Sequence, residues 1–129
     1  MPGHIQWMND EKTIISHIYE GVVTLEDYYA VIDRHYEMSS GQDHVVHSIM
    51  DRSGIKKSPA SLSAVMRYAN KKVPPNQGIR VVVGGQMLTK VLVNNIGKVI
   101  APSLTKDVYF ADNVEAAMAL IEQKAHTFK

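Results

Sequence analysis

Histidine and aspartate side chains are the groups in this sequence that could carry acid–base or metal chemistry. The chain has six histidines, and imidazole titrates near neutral pH and binds metal ions. His44 and His47 lie three apart in a strand-like segment, so they point to opposite faces, and no HxH or HExxH motif occurs. Folding could bring His17 and His47 together, and Asp51 could act as a base with His47. An aspartate there also accepts backbone N–H bonds, which is the interpretation we favour.

The Gly84-Gly85 pair lies at a predicted strand-to-helix junction. Open α/β sheets bind ligands at such junctions, where free backbone N–H groups can hold an anion. The pair is not part of a GxGxxG motif or a P-loop, and two glycines also serve simply to make a close turn. No GxSxG motif is present either. We therefore favour the structural role for the pair, expect no cofactor and no metal, and find no positive indication of an enzyme.

The distribution of charge is the strongest chemical signal in the sequence. Residues 1–54 carry nine acidic and three basic side chains, whereas residues 55–129 carry eleven basic and four acidic ones. One interpretation is a positive surface that attracts a phosphate-bearing ligand, an anionic membrane or an acidic partner. The other, which we favour, is that the two halves neutralise each other within the chain or across a symmetric interface. The basic residues between the acidic Asp51 and Asp107 are Arg52, Lys56, Lys57, Arg67, Lys71, Lys72, Arg80, Lys90, Lys98 and Lys106.

Composition restricts the class of protein. The chain has 129 residues, of which 45% are apolar and 21% charged, so residues 1–129 fit a single folded domain rather than a disordered chain. The absence of cysteine excludes disulfide scaffolds, thiolate metal sites and cysteine nucleophiles. We find no secretion signal and no run near the roughly 18 apolar residues of a membrane span, and we expect a cytoplasmic protein. Nucleic-acid binding is not expected, because the lysines are not interleaved with aromatic residues.

Strands and helices that alternate along the chain must position these side chains. The pattern predicts a hairpin over 5–8 and 12–20, and a capping box at Thr24 and Asp27 that starts a helix at Leu25. A central strand is predicted over 44–51, where apolar residues occupy both faces. The remaining elements are predicted as a helix over 59–73, a strand over 78–84, a helix over 87–96, a strand over 107–110 and a helix from 114.

The order β-β-α-β-α-β-α-β-α predicts an α/β fold. We expect a single mixed, mostly parallel sheet with an N-terminal antiparallel hairpin and helices packed on it. Several helical side chains are suited to line an apolar pocket or a dimer face, and at this spacing they also suit an ordinary core. These side chains are Tyr28, Tyr29, Tyr36, Tyr68, Met66, Met87 and Met118.

Four segments of the chain resemble the STAS domain family, in its divergent SpoIIAA-like group. The string from Ser48 to Ile55 is similar to the third-strand signature of that family, an apolar strand that ends in Asp-x-Ser-Gly. Residues 19–27, 81–84 and 110–117 are similar to its other strand–helix units. The resemblance covers about residues 5 to 122.

The resemblance implies a binding module rather than an enzyme. Antagonist-type STAS domains are phosphorylated on a serine after an aspartate at the start of helix two, and that pair falls on Pro59-Ala60 here. The usual phosphoacceptor is therefore missing, and Ser58 and Ser61 are the nearby alternatives. The divergent group is also similar in fold to lipid-binding CRAL-TRIO domains, which implies an apolar pocket with a basic rim between sheet and helices.

Our hypothesis from the sequence is a non-enzymatic STAS-like protein-interaction or small-ligand-binding module that forms a homodimer. The alternatives are a carrier of an amphiphilic or lipid-like ligand and an enzyme that uses Asp51 with a histidine. The expected partner is a protein or a small anionic or amphiphilic ligand, with peripheral contact to an anionic membrane as a further interpretation. The predicted binding residues are Asp51, Ser53, Gly54, Lys56, Lys57, Ser58, Arg67, Lys71, Lys72, Gly84 and Gly85.

Overall fold

The computed structural model describes residues 3–58, 62–84, 90 and 92–126. Within these ranges the chain forms five strands and four α-helices, and a π-helical turn over Leu92–Gly97 precedes the third helix. The strands are β1 (Gly3–Trp7), β2 (Ile14–Val22), β3 (Val46–Lys57), β4 (Gln77–Val83) and β5 (Val108–Ala111). The helices are α1 (Leu25–Ser40), α2 (Leu62–Asn70), α3 (Lys98–Ile100) and α4 (Val114–Ala125).

The five strands form one sheet in the order β1-β2-β3-β4-β5. β1 runs antiparallel to β2, and the other neighbours are parallel. This arrangement confirms the predicted mixed sheet, the N-terminal hairpin and the central position of β3. A parallel neighbour needs a crossover, and α1 and α2 lie in the two crossovers that flank β3.

Strand β3 is longer than the sequence predicts. The prediction ended it at Asp51, but the structure continues it to Lys57, so the loop that we expected after Asp51 is a strand. The extension pairs with the end of β2, where Glu20 lies opposite Gly54 and Val22 opposite Lys57. Non-local pairing therefore overrides the turn-like composition of this segment.

The helix starts agree with the sequence where the structure describes them. At α1, Asp27 N donates to Thr24 Oγ1 over 3.2 Å and Thr24 N donates to the Asp27 carboxylate over 2.9 Å, which confirms the capping box. The predicted helix over 59–73 corresponds to α2, and residues 59–61 lie outside the described residues. Of the helix predicted over 87–96, residues 87–89 and 91 are not described, and residues 92–96 lie in the π-helical turn.

Each face of the sheet has its own apolar core. One core contains Tyr19 of β2 together with Val31 and Ile32 of α1 and Val65 of α2. The other core joins β2, β3 and β4 to α4, with Ile121 of α4 at its centre. Alternation along the strands then sets which polar side chains face each core. No helix in the described part of the chain is long and apolar enough to span a membrane.

Candidate functional site

A partly enclosed cavity of about 110 Å³ lies between the sheet and the helices α1 and α2. Its wall is mainly apolar, with Ile32 of α1, Val65 and Met66 of α2 and Val82 of β4 among the lining side chains. Polar groups enter from β2, α1 and β4, where His17, His35, Tyr36 and Arg80 line the cavity. None of the described lining residues is acidic. The arrangement can enclose a small apolar body and offer hydrogen-bond donors to one polar end.

Arg80 is a charged residue of the cavity wall, and its recorded hydrogen-bond partners are neutral. Its Nη2 donates to Tyr36 Oη over 3.2 Å and to Gln77 Oε1 over 2.8 Å, and its guanidinium lies 5.7 Å from the centre of the Tyr36 ring. Its Nε is buried and has no hydrogen-bond partner among the described residues. Burial lowers the pKa of Arg80, and the charge and hydrogen bond of Tyr36 oppose that change. Arg80 therefore holds a buried N–H donor that the described protein does not use.

His17 of β2 and His35 of α1 form a buried pair beside Arg80. His17 Nε2 lies 2.8 Å from His35 Nδ1, and the two outer nitrogens, His17 Nδ1 and His35 Nε2, have no partner among the described residues. Burial, aided by the charge of Arg80, lowers the pKa of His17 to about 3. Burial lowers the pKa of His35 well below its ordinary value, with His17 and Arg80 adding to the effect. Both rings are therefore neutral near neutral pH.

A second arginine, Arg52 of β3, also lines the cavity. Arg52 Nη1 donates to Tyr28 Oη over 2.7 Å, and Tyr28 Oη lies 3.1 Å from Ser58 Oγ. Since Tyr28 accepts from Arg52, its own O–H can donate to Ser58. Ser58, a predicted site residue, is thus connected to the cavity through Tyr28.

Most of the other predicted site residues lie away from this cavity. Asp51, Ser53, Gly54 and Lys56 line a separate open groove at the carboxyl ends of β2 and β3. In this groove Asp51 Oδ1 accepts hydrogen bonds from Ser53 N over 3.0 Å and from Ser53 Oγ over 2.5 Å. This confirms the structural interpretation of Asp51, although the acceptor lies within a strand and not before a loop.

The remaining predicted residues are basic side chains and glycines. Gly84 follows β4 and packs on the backbone of Ser53, so those two positions come together, whereas Gly85 lies outside the described residues. The five basic side chains predicted to bind a partner are all exposed. They are Lys56, Lys57, Arg67, Lys71 and Lys72.

The structure does not bring together the histidines and the aspartate suggested for acid–base chemistry. His17 faces the cavity under α1 and α2, whereas His47 faces α4 on the other side of the sheet, so the possible meeting of His17 with His47 is wrong. His47 Nδ1 accepts from Ile79 N over 2.9 Å. Asp51 shares the face of His47, but the two lie four positions apart along β3, a distance of about 13 Å, and they line different depressions. The described residues hold no group of three metal-binding side chains.

From the sequence we placed Arg80 only in a basic stretch, and we did not predict that His17 and His35 form a pair. A signal for Arg80 was present, because a single charge interrupts the apolar run of β4, whose neighbours Ile79 and Val81 are buried. Of the helical residues suggested as pocket lining, Tyr28, Tyr36 and Met66 do line the cavity.

Comparisons with known proteins give a likeness in structure and none in sequence. No protein-family model and no curated protein matches the chain. Among solved structures, the anti-sigma factor antagonist SpoIIAA in its unphosphorylated form is similar, with 11% sequence identity and a TM-score of 0.56. The match covers 93% of this chain and 97% of that one. The chain therefore has the STAS-like α/β fold of SpoIIAA.

Proposed function

We propose that this chain is a non-enzymatic STAS-like regulatory module that binds a small molecule in the cavity under α1 and α2. The observation that carries the proposal is the cavity itself, an apolar space beside buried N–H donors that lack partners. Native proteins satisfy nearly all buried polar groups, so donors of this kind favour a ligand that completes them. The absence of a converging acid–base set among the described residues gives catalysis no comparable support.

The size of the cavity limits the ligand. A cavity of about 110 Å³ is somewhat smaller than the ~150 Å³ engineered cavity that holds one benzene molecule. A long acyl chain does not fit that space, so this geometry favours a small molecule over the alternative of a lipid carrier.

The test is binding of toluene, a small apolar probe, followed by two-dimensional NMR. We expect saturable shifts at the methyl groups of Val65 and Met66, which line the cavity. Ala69→Leu should abolish them, since Ala69 is 4% exposed in the cavity wall and the larger side chain fills the space. Ala30→Leu, on the exposed side of α1, is the matched control and should bind as the wild type does. Wild-type protein without saturable shifts would rule out the cavity as a binding site.

A protein partner is the second function that an observation favours. Lys56, Lys57, Arg67, Lys71 and Lys72 are all exposed. The ion pairs recorded among described residues are Arg34–Glu37 and Asp43–His44. Both lie within the acidic half and involve none of these five basic residues. The similar protein SpoIIAA is described as an antagonist of an anti-sigma factor, which supports a protein partner here. We therefore propose that the basic surface binds an acidic protein segment.

A fluorescein-labelled polyglutamate peptide tests this second function by fluorescence polarisation. Binding should weaken at about 1 M salt, where the screening length is only about 3 Å. The double variant Lys71→Glu, Lys72→Glu should bind several-fold more weakly, because reversal replaces attraction by repulsion. Lys12→Glu, an exposed lysine of the acidic half, is the control and should leave the affinity unchanged. Equal affinity of the double variant and the wild type would exclude this surface.

We also propose that the chain forms a homodimer. The acidic half and the basic half of one chain are complementary to the basic and acidic halves of a second copy, as a two-fold interface requires.

A further inference from the structure

The charge of Arg80 is not neutralised by any described side chain. Its recorded acceptors are the hydroxyl of Tyr36 and the amide oxygen of Gln77, and the ion pairs among described residues lie elsewhere. Neutral oxygens solvate a guanidinium but do not cancel its charge, so the partly buried Arg80 side chain lacks a counter-charge among the described residues. An anion in the cavity would supply the counter-charge and an acceptor for the unused Nε of Arg80.

The histidine pair offers hydrogen bonds but no additional charge. If His17 Nε2 donates to His35 Nδ1, then His35 Nε2 carries the outer N–H and His17 Nδ1 the outer lone pair; in the other tautomer the two roles are exchanged. Either way the pair keeps one N–H and one acceptor site at its ends. Both outer nitrogens are buried and lack described partners. The pair can therefore donate one hydrogen bond to an acceptor that reaches it, and in neutral form it adds no charge to the arginines of the cavity wall.

The rest of the wall recognises an apolar body. Ile32, Met50, Val65 and Met66 line the cavity around these polar groups. An occupant must therefore combine a negatively charged group at Arg80 with an apolar part no larger than a benzene ring. Arg52 also lines the cavity, but Arg80 is the arginine with a buried nitrogen that lacks a partner among the described residues, so the carboxylate is placed at Arg80.

Resting on the proposed binding function of the cavity, we infer that its ligand is a small monocarboxylate, aromatic or branched aliphatic. The carboxylate accepts hydrogen bonds from Arg80 and from the outer N–H of the histidine pair. The apolar body lies against Met50, Val65 and Met66. Charge-assisted hydrogen bonds of this kind are about twice as strong as neutral ones, so the carboxylate dominates selectivity.

The test compares benzoate with benzyl alcohol and toluene by isothermal titration calorimetry. We expect benzoate to bind wild-type protein at least about tenfold more tightly than benzyl alcohol, which has the same ring without the charge. Arg80→Gln should remove this preference and leave the affinity for toluene within about twofold. Arg80→Lys keeps the charge but not the planar fork, so it should retain only part of the preference for benzoate. Toluene binding by the variants also shows that the cavity remains folded.

The outcomes separate this inference from the proposed function. If toluene binds but benzoate has no advantage over benzyl alcohol, or keeps it in Arg80→Gln, the carboxylate assignment is wrong and the cavity remains a binding site. If neither toluene nor benzoate binds, the proposed function fails as well. Tighter binding of phenyl phosphate than of benzoate would overturn the assignment of a carboxylate ligand. Tighter binding of palmitate than of benzoate would overturn the limit on ligand size inferred from the cavity volume.

Discussion

At the scale of single residues, the buried polar groups are of two kinds. Some make hydrogen bonds that support the fold, and others have no partner among the described residues. Tyr36 Oη donates to Ala69 O over 2.7 Å and accepts from Arg80, so it joins α1, α2 and β4. His47 Nδ1 accepts from the backbone of β4 and stabilises the opposite face. The outer nitrogens of His17 and His35 have no comparable structural use among the described residues.

The histidine pair makes stability depend on pH. The folded chain keeps His17 and His35 neutral, because burial lowers the pKa of His17 to about 3 and that of His35 well below 6.5. The unfolded chain binds protons below its pKa of 6.5, so unfolding takes up protons as the pH falls. The contribution of His17 to the free energy of unfolding is therefore fully present above pH 6.5. It is lost progressively as the pH falls from 6.5 to about 3.

Urea denaturation between pH 6.5 and 5 measures this effect. Each buried neutral histidine contributes a limiting slope of about 1.4 kcal/mol per pH unit. The double variant His17→Leu, His35→Leu should flatten the dependence, whereas His4→Gln, at an exposed position, should not. An equally steep dependence in the double variant would show that other groups cause it.

Gly84 tests the close approach of β4 to β3. Its φ of +73° is unfavourable for other residues, and a Cβ there would lie 2.7 Å from Ser53 Cα and 2.8 Å from Ser53 N. Gly84→Ala should lower the free energy of unfolding by about 2–4 kcal/mol, because both strain and backbone overlap oppose it. Gly41→Ala is the matched control, since its Cβ would meet nothing nearer than 3.6 Å and φ is −79°. If the two variants unfold at the same denaturant concentration, the close contact with Ser53 is wrong.

At the scale of elements, α1 supplies as many residues to the cavity wall as α2 does. It carries Ile32, His35 and Tyr36 into the cavity wall, and the capping box at its first turn fixes where it begins. Tyr68 Oη of α2 donates to Asp33 Oδ1 over 2.7 Å, which ties the two helices that cover the cavity. That hydrogen bond is the first cause of the raised pKa of Tyr68.

Loss of the cap should therefore destabilise the helix that covers the cavity. Thr24→Ala removes the acceptor for Asp27 N and should lower the free energy of unfolding by about 1 kcal/mol. Ser40→Ala, at the exposed end of α1, should change it by less than about 0.5 kcal/mol. Chemical denaturation measures both, and a Thr24→Ala variant as stable as the wild type would contradict the role of the cap.

At the scale of the whole molecule, opposite charge divides the chain between its two halves. The ion pairs Arg34–Glu37 and Asp43–His44 join sequence neighbours, and none recorded among the described residues links α1 to the basic stretch. The ion pairs recorded among the described residues therefore do not join the acidic half to the basic half.

Sedimentation equilibrium tests the proposed homodimer at this scale. We expect a dimer at low ionic strength and a shift toward monomer at about 1 M salt, because screening shortens the range of the attraction to about 3 Å. A monomer at both salt concentrations would refute the homodimer, and a dimer insensitive to salt would assign the interface to apolar contacts instead.

The sequence alone determined the class of fold, because its signals are local. Apolar residues on both parities of 46–50 indicate a strand covered on two faces, and the capping residues Thr24 and Asp27 place the start of α1. These patterns depend on periods of two or 3.6 residues, which the chain carries whatever its tertiary contacts. They were sufficient to predict the order of the elements and the mixed sheet.

Only the tertiary structure decided the cavity and the extent of β3. His17, His35 and Arg80 come from three separate elements, and packing of α1 on the sheet brings them together. The end of β3 depends on its pairing with residues 20–22 of β2, which outweighs the local turn chemistry of Ser53 and Gly54. Contacts between distant segments leave no period in the sequence, so a basic residue in β4 reads as part of a charged stretch until its surroundings are known.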